Sequence, residues 1–365
     1  MVNVDWFFAS HRLQLGELAL QQGAEVGLAT RTTRVASAIQ DRGIRVFEVA
    51  FPRSTAAVSA ELRAQQGLRG ACREFQPDLI HAVGHKAILH TALATYGRST
   101  PVINVISGLG STMTSGRPRG VSAAILKWLY RHAASRANTW TILQNDEDVE
   151  VFRRAGWLAG DRWRLIPGSG VDCDRFAPPQ VEPDEQLVLF PARLLADKGI
   201  REFVQAARML KATHPTCRFA LVGALDPDNP SGLDEHTVAQ WVSEGVVEWW
   251  GHCENMDDVF RKATVVALPS YREGLPKALI EAAACGRAIV TTDAPGCRDV
   301  VDNGKCGLMV PVADAHSLAS AIRRLLDNAD LRKELGGKAR ERAVTLYKAD
   351  LINHSIAALW RHALA

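Results

Sequence analysis

The 365-residue chain has no apolar run approaching the ~18 residues that a membrane-spanning helix needs, so it is expected not to cross a bilayer. Its start, MVNVDWFFASHRL, lacks a basic stretch followed by an apolar one, and no signal peptide is read from it. None of the seven cysteines (Cys72, Cys173, Cys217, Cys253, Cys285, Cys297 and Cys306) forms a C-x-x-C pair, and their number is odd. A chain of this length needs no disulfide staples, so reduced thiols in the cytoplasm are expected. There is no short internal repeat and no low-complexity tract. With 47% hydrophobic and 23% charged residues, disorder is excluded as the main state.

Acidic residues are missing from one long stretch. Between Asp78 and Asp146 there is none, yet Lys86, Arg98, Arg117, Arg119, Lys127, Arg131 and Arg136 lie there. Within it, RPRGVSAAILKWLYRHAASR interleaves cations with Leu126, Trp128, Leu129 and Tyr130. Such a helix suits an anionic membrane surface or a phosphate-bearing ligand; the plainer alternative is a surface helix whose apolar residues are core. No nucleic-acid-binding motif accompanies it, so nucleic acid is not an expected partner.

What is present is a rhythm. Short apolar runs at 26–30, 45–49, 79–82, 102–105 and 139–144 alternate with helical patterns at 12–22, 32–42, 56–75, 86–97 and 119–136. The second half repeats it, with strands at 187–193, 218–224, 246–250, 264–268, 288–292 and 307–311, and helices at 198–213, 234–244, 255–262 and 276–286. Helix is expected from about Ala315 to the end, interrupted at Gly336-Gly337. This alternation predicts an α/β protein with parallel sheets covered on both faces. Two such series, joined at the Gly- and Pro-rich 167–179 segment, predict two doubly wound, Rossmann-like domains.

The segment PSYREGLPKALIEAAACGRAIVTTD (269–293) carries the strongest chemical signal. It follows an apolar strand and opens a helix, with Pro276 expected in the first helical turn and Gly286 at its close. Unpaired N–H groups and the helix dipole make such a helix start an anion site. Glu273 lies before the helix and Glu281 inside it. An ionised carboxylate only accepts, so it suits paired hydroxyl donors on a sugar ring. Two carboxylates flanking a phosphate-binding helix start would read two sugars of one ligand. The spacing alone arises by chance in many proteins; the strand, loop and proline around it give it meaning.

The segment resembles the E-x7-E signature of retaining GT-B glycosyltransferases of the family-4 type. FPARLLADKGIREFVQAA is similar to that family's Arg/Lys diphosphate motif, and VGALDPDNPSG, WWGHCENM and TTDAPGCRDVV resemble its other donor-domain blocks. NVDWFFASHRL, INVISGLGSTMTS, ILQNDED and IPGSGVD resemble members that build capsule, O-antigen or other glycan repeat units on polyprenyl-diphosphate carriers. The resemblance implies a GT-B architecture of two domains facing a cleft. Residues 1–168 would bind the acceptor and 169–350 the nucleotide-sugar donor, and 351–365 would form a helix crossing back to the first domain. It implies that Glu281 holds the donor ribose and Glu273 the transferred sugar. Gly274, Leu275, Gly223 and His252 would line the donor site, and Arg193 and Lys198 would neutralise the departing diphosphate. It implies no metal and no cofactor beyond the co-substrate, expected to be a UDP-sugar. The strings Asp172-Cys173-Asp174 and Asp226-Pro227-Asp228 are read as turn chemistry.

For the acceptor, a polyprenyl-diphosphate-linked saccharide, the candidates are Ser10, His11, Lys86, the glycine-rich turn at Ser107, Gly108, Leu109, Gly110 and Ser111, and Arg117. His81 and His85 are read as structural. Relatives carry more apolar residues ahead of NVDWFF; here only Met1-Val2-Asn3-Val4 precede or enter it, so the first strand is expected to be very short or the start placed late. The expected place of action is the cytoplasmic face of the membrane, in peripheral contact with it. Two rivals remain: a nucleotide-sugar 2-epimerase of the same fold, and a non-catalytic sugar-nucleotide-binding scaffold.

Overall fold

The computed structural model describes residues 1–52, 58–108, 130–133, 138–158 and 160–365. The chain divides into two compact units, Met1–Ser169 with Asp350–Ala365, and Gly170–Ala349.

In the first unit, β1 (Gly27–Thr30) and β2 (Arg45–Glu48) pair in parallel. A second parallel sheet runs in the order β3 (Ile80–Val83), β4 (Val102–Val105), β5 (Thr139–Leu143) and β6 (Trp163–Leu165). Residues 1–4 join the two sets. The Val2 N–H donates to Ala29 O at 3.2 Å, and the Val83 N–H donates to Met1 O at 3.0 Å. The winding therefore reverses between residues 1–4 and β3. The first strand is as short as expected, and a helix that was not foreseen, Asp5–His11, begins at once after it. The buried Asp5 carboxylate explains it: it accepts from the Trp6 N–H at 2.7 Å, the Thr33 N–H at 2.5 Å and the Thr33 hydroxyl at 2.7 Å. A break at Arg12 separates this helix from Leu13–Gln21. A further helix, Asp146–Ala155, was not foreseen although its signals are strong. Asn145 caps it through the Asp148 N–H at 2.7 Å, three acids fill its first turn, and Gly156 closes it in the left-handed region.

The closing helix Ala349–Leu364 gives Ile352, Ile356 and Leu359 to the same buried cluster as Val2, Phe8, Ile103 and Ile142. Apart from 130–133, which are helical, the expected basic helix at 119–136 lies outside the described residues. Among the described residues no helix is long and apolar enough to cross a membrane.

The second unit holds one parallel sheet: β7 (Leu187–Pro191), β8 (Arg218–Val222), β9 (Glu248–Gly251), β10 (Val265–Leu268), β11 (Ala288–Thr292) and β12 (Leu308–Val310). Its order is β12-β11-β10-β7-β8-β9. Strands β7, β10 and β11 are buried at every position, as in a parallel sheet covered on both faces. The strand order reverses between β7 and β10, and in open α/β sheets ligands bind outside the carboxyl ends at such a point.

The expected interruption at Gly336-Gly337 is also corrected, since Ala329–Leu346 is one helix. A Cβ on Gly336 would stand 2.2 Å from Gly286 O, so glycine is there for close helix approach. Buried Leu335, Ala339 and Ala343 hold the helix against the ~1 kcal/mol propensity cost of each glycine. The real break is at Asn328, which caps the Leu331 N–H at 2.9 Å.

Candidate functional site

Two loops meet at the reversal point of the second unit. One leaves β7, passes Arg193 and turns through a short 3₁₀ segment, Ala196–Lys198. The other leaves β10, carries Ser270, Tyr271 and Glu273, and enters the Lys277–Ala284 helix. The Tyr271 N–H donates to Asp197 O at 2.9 Å and ties them together. Two glycines make the approach possible. Gly199 sits at φ +74°, and a Cβ there would stand 2.0 Å from Pro269 O. Gly296 sits at φ +79°, where a Cβ would stand 2.6 Å from Glu273 O.

The result is a direct contact. Lys198 Nζ donates to Glu273 Oε1 at 2.6 Å, and the same oxygen accepts from Ser270 Oγ at 2.7 Å. The Lys198 and Glu273 side chains are 19% and 13% exposed, so solvent and salt screen this pair less than a surface pair. Arg193 is 46% exposed, and its Nη1 donates to Asp226 Oδ2 at 2.6 Å. Arg193 and Lys198 are therefore not the bare pair of cations expected from sequence. Each carries its own carboxylate, which lowers the repulsion between them.

Glu281 is buried in the Lys277–Ala284 helix, where Lys277, one turn earlier, grips its carboxylate. Pro276 stands at the N-cap, one residue before the first turn where it was expected. Gly274 and Leu275 are buried in the turn between Glu273 and that cap. Gly223 is a packing glycine: a Cβ there would stand 1.9 Å from Ala192 O, so only glycine lets the ends of β7 and β8 come this close. Its N–H donates to Gly251 O at 2.8 Å, and the next residue, His252, is exposed at the end of β9.

Two titratable neighbours are held protonated. Burial, reinforced by the Glu273 charge, pushes the Cys297 thiol up to about 12. Burial and the 2.8 Å bond to Glu202 push the Tyr271 hydroxyl up to about 12. Neither can supply an anion near neutral pH.

Several described candidates of the first unit are committed to their own neighbours. His11 stacks on Phe7, with ring centroids 4.3 Å apart, and its Nδ1 lies 2.6 Å from Ser10 Oγ. Lys86 donates to Pro52 O at 2.7 Å and lies 3.6 Å from Glu61 Oε1, so its charge is partly neutralised. Ser107 is exposed; Gly108, at φ +115°, presents its carbonyl to His85 Nε2 at 2.8 Å. His81 is half-buried, accepts from Trp360 Nε1–H at 3.2 Å, and desolvation followed by the Arg12 charge pushes its pKa well down. That neutral ring agrees with a structural reading. Leu109, Gly110, Ser111 and Arg117 lie outside the described residues.

Of the two D-x-D strings, Asp172 closes a turn by accepting from the Asp174 and Arg175 N–H groups, both at 3.0 Å. Asp226 is taken by Arg193. Among the described residues no three His, Cys, Asp or Glu side chains are grouped to hold a metal ion.

Sequence reasoning missed Ser270, Asp226, Gly199 and Gly296. The signal was present for three of them. Ser270 stands three residues before Glu273, Gly199 directly follows Lys198, and Gly296 lies in a quoted donor-domain block.

A family model described as "Glycosyl transferases group 1" matches residues 174–342, and one described as "Glycosyl transferase 4-like" matches residues 1–139. The chain is 28% identical over 321 residues to N,N'-diacetylbacillosaminyl-diphospho-undecaprenol alpha-1,3-N-acetylgalactosaminyltransferase of Campylobacter jejuni, covering 84% of this chain and 83% of that protein. It is 28% identical over 338 residues to a glycogen synthase of Mycobacterium tuberculosis, covering 86% and 76%. Among solved structures, sucrose-phosphate synthase from Thermosynechococcus elongatus superposes with a TM-score of 0.79 at 23% identity, covering 96% of this chain and 91% of that one. Anabaena HepE in complex with UDP-glucose superposes with a TM-score of 0.77 at 16% identity, covering 96% and 94%. At these identities the structural matches speak for the fold alone.

Proposed function

We propose, from the two glycosyltransferase family models that match residues 1–139 and 174–342 and from the GT-B fold, that this chain is a retaining group 1 glycosyltransferase. It would move a hexose or N-acetylhexosamine from a UDP-sugar to a polyprenyl-diphosphate-linked saccharide during surface-glycan synthesis. The observation that carries this reading is the 2.6 Å Lys198–Glu273 contact at the reversal point of the second sheet. A cation for a diphosphate and a carboxylate for sugar hydroxyls already touch where the bond between those two groups must break.

The chemistry follows from charge. As the C1–O bond lengthens, negative charge grows on the departing diphosphate. Lys198 and Arg193 stabilise that charge more in the transition state than in the ground state. The N-terminal end of the Lys277–Ala284 helix, reached through Gly274 and Leu275, adds positive potential. When Lys198 turns to the diphosphate, Glu273 is released to accept from hydroxyls of the migrating sugar. Glu281 accepts from the ribose hydroxyls once Lys277 gives way. Side-chain cations carry the leaving group in this reading, so chelator-treated enzyme is expected to retain full turnover. The first unit would present the acceptor, and the basic 117–136 stretch would meet the anionic cytoplasmic face of the membrane.

The test is a panel of nucleotide sugars against lipid-linked acceptors, read by mass spectrometry, with the anomeric configuration of the product read by NMR. Transfer from one donor with retention supports the reading. Epimer formation from UDP-N-acetylglucosamine without acceptor would refute it, as would UDP binding with no turnover on any acceptor.

A further inference from the structure

We propose that Asp226 is a positioning residue for Arg193, and that the 224–233 segment serves to carry it. The inference rests on the transferase reading above.

A long side chain at the end of a strand is mobile. Arg193 is 46% exposed, and an arginine in that setting loses rotamer freedom when it is fixed. A cation meant to stabilise a transition state works best when that cost is met before the substrate arrives. Asp226 Oδ2, accepting from Arg193 Nη1 at 2.6 Å, does this. It engages one edge of the guanidinium, and the planar fork has further N–H donors for phosphate oxygens.

The backbone that carries Asp226 is itself well anchored. The Asn229 N–H donates to Asp226 O at 3.0 Å. A Cβ on Gly232 would stand 2.2 Å from that same oxygen, so the loop folds this tightly only with glycine there. The segment is then stitched to the chain between the two cations. The Leu194 N–H donates to Ala224 O at 3.1 Å, the Ala196 N–H to Ser231 O at 2.7 Å, and the Leu233 N–H to Leu194 O at 3.1 Å. Leu195 and Gly232 form an antiparallel bridge. Asp226 thus sits on a rigid frame attached to the backbone it serves, and the D-x-D string read from sequence as turn chemistry gains a purpose.

The placement has a characteristic consequence. A carboxylate beside a diphosphate subsite repels the ligand while it orients the cation. Removing its charge should leave nucleotide affinity intact or improve it, yet slow the chemical step. A scaffold defect would instead weaken both and lower the melting temperature.

The experiment compares full-length wild type with D226N, D226E, R193A and the D226N/R193A double variant. Turnover is measured with the accepted donor and acceptor, UDP affinity by calorimetry, and folding by thermal melts. For D226N, kcat should fall about 10- to 100-fold. Its UDP dissociation constant should stay the same or decrease, with an unchanged melting temperature. D226E should recover part of the lost rate. In the R193A background, D226N should change kcat less than about twofold, because the effect runs through Arg193. An unchanged kcat in D226N overturns the proposal. So does an equal loss in the R193A background, or weakened UDP binding together with a lowered melt. A wild type that transfers from no donor overturns the transferase reading, and this inference with it.

Discussion

The two units offer their named residues at equivalent places and use them differently. In both, the candidates follow strands at the carboxyl edge of a parallel sheet, near the reversal of winding. In the Gly170–Ala349 unit the loops interlock, and Lys198, Glu273, Ser270, Arg193 and Asp226 meet in two bonded groups. In the Met1–Ser169 unit, His11 and Lys86 are engaged by Phe7, Pro52 and Glu61. Topology supplies the address in both cases. What turns an address into a site is close loop approach, which the second unit achieves through Gly199 and Gly296.

The largest effect should come from Lys198→Met. Turnover is expected to fall about 10²- to 10³-fold while the protein remains folded, checked by steady-state kinetics and circular dichroism. Lys86→Ala should leave donor affinity untouched and act only on the acceptor KM. If the two variants behave alike, the contrast between the units fails.

Next comes the glycine dependence. Gly199→Ala puts a Cβ 2.0 Å from Pro269 O at φ +74° and should cost several kcal/mol, on the order of 2–4, by denaturant unfolding. Gly97→Ala shares the φ of +74° but has open space around it, so only the left-handed backbone strain of about 1 kcal/mol is expected. Equal costs would mean that loop approach at Gly199 is not what matters.

A smaller effect concerns the frame of the second unit. Buried Arg287 holds Glu182 through two bonds of 2.9 Å and keeps that carboxyl below its usual range. Glu182 is mostly exposed, so solvent screening limits the pair to about 1 kcal/mol. Its stabilisation is complete above the unfolded carboxyl pKa of about 4.3 and is lost as pH falls through the lower folded value. Glu182→Gln should therefore lower the melting temperature at pH 7 and flatten its acid decline, with turnover unchanged.

The smallest test is chemical. Six cysteines are buried and Cys253 is half-buried, so a thiol reagent should label Cys253 first and the rest only on unfolding.

The sequence carried the rhythm of strands because buried parallel strands are unbroken apolar runs, as LVLFP and AIVTT are. It carried the Glu273–Glu281 segment because the strand, proline and helix are contiguous. It could not carry the Arg193–Asp226 pair, whose partners stand 33 residues apart and meet only once β7 and β8 are adjacent. Gly336 misled because glycine marks both a helix end and a close approach, and only the neighbour at Gly286 distinguishes them. The Asp5–His11 helix was not legible because the Asp5 carboxylate is held by the N–H and hydroxyl of Thr33, 28 residues later.

On the proposed reading, the second unit alone holds the nucleotide diphosphate, through Lys198 and Arg193. Calorimetric titration of UDP into wild type, Lys198→Met and Lys86→Ala tests it most directly. One UDP per chain is expected for wild type and Lys86→Ala, and binding weakened at least about tenfold for Lys198→Met, as the loss of a charge-assisted contact implies. Undiminished binding by Lys198→Met, or loss of binding in Lys86→Ala, would contradict it.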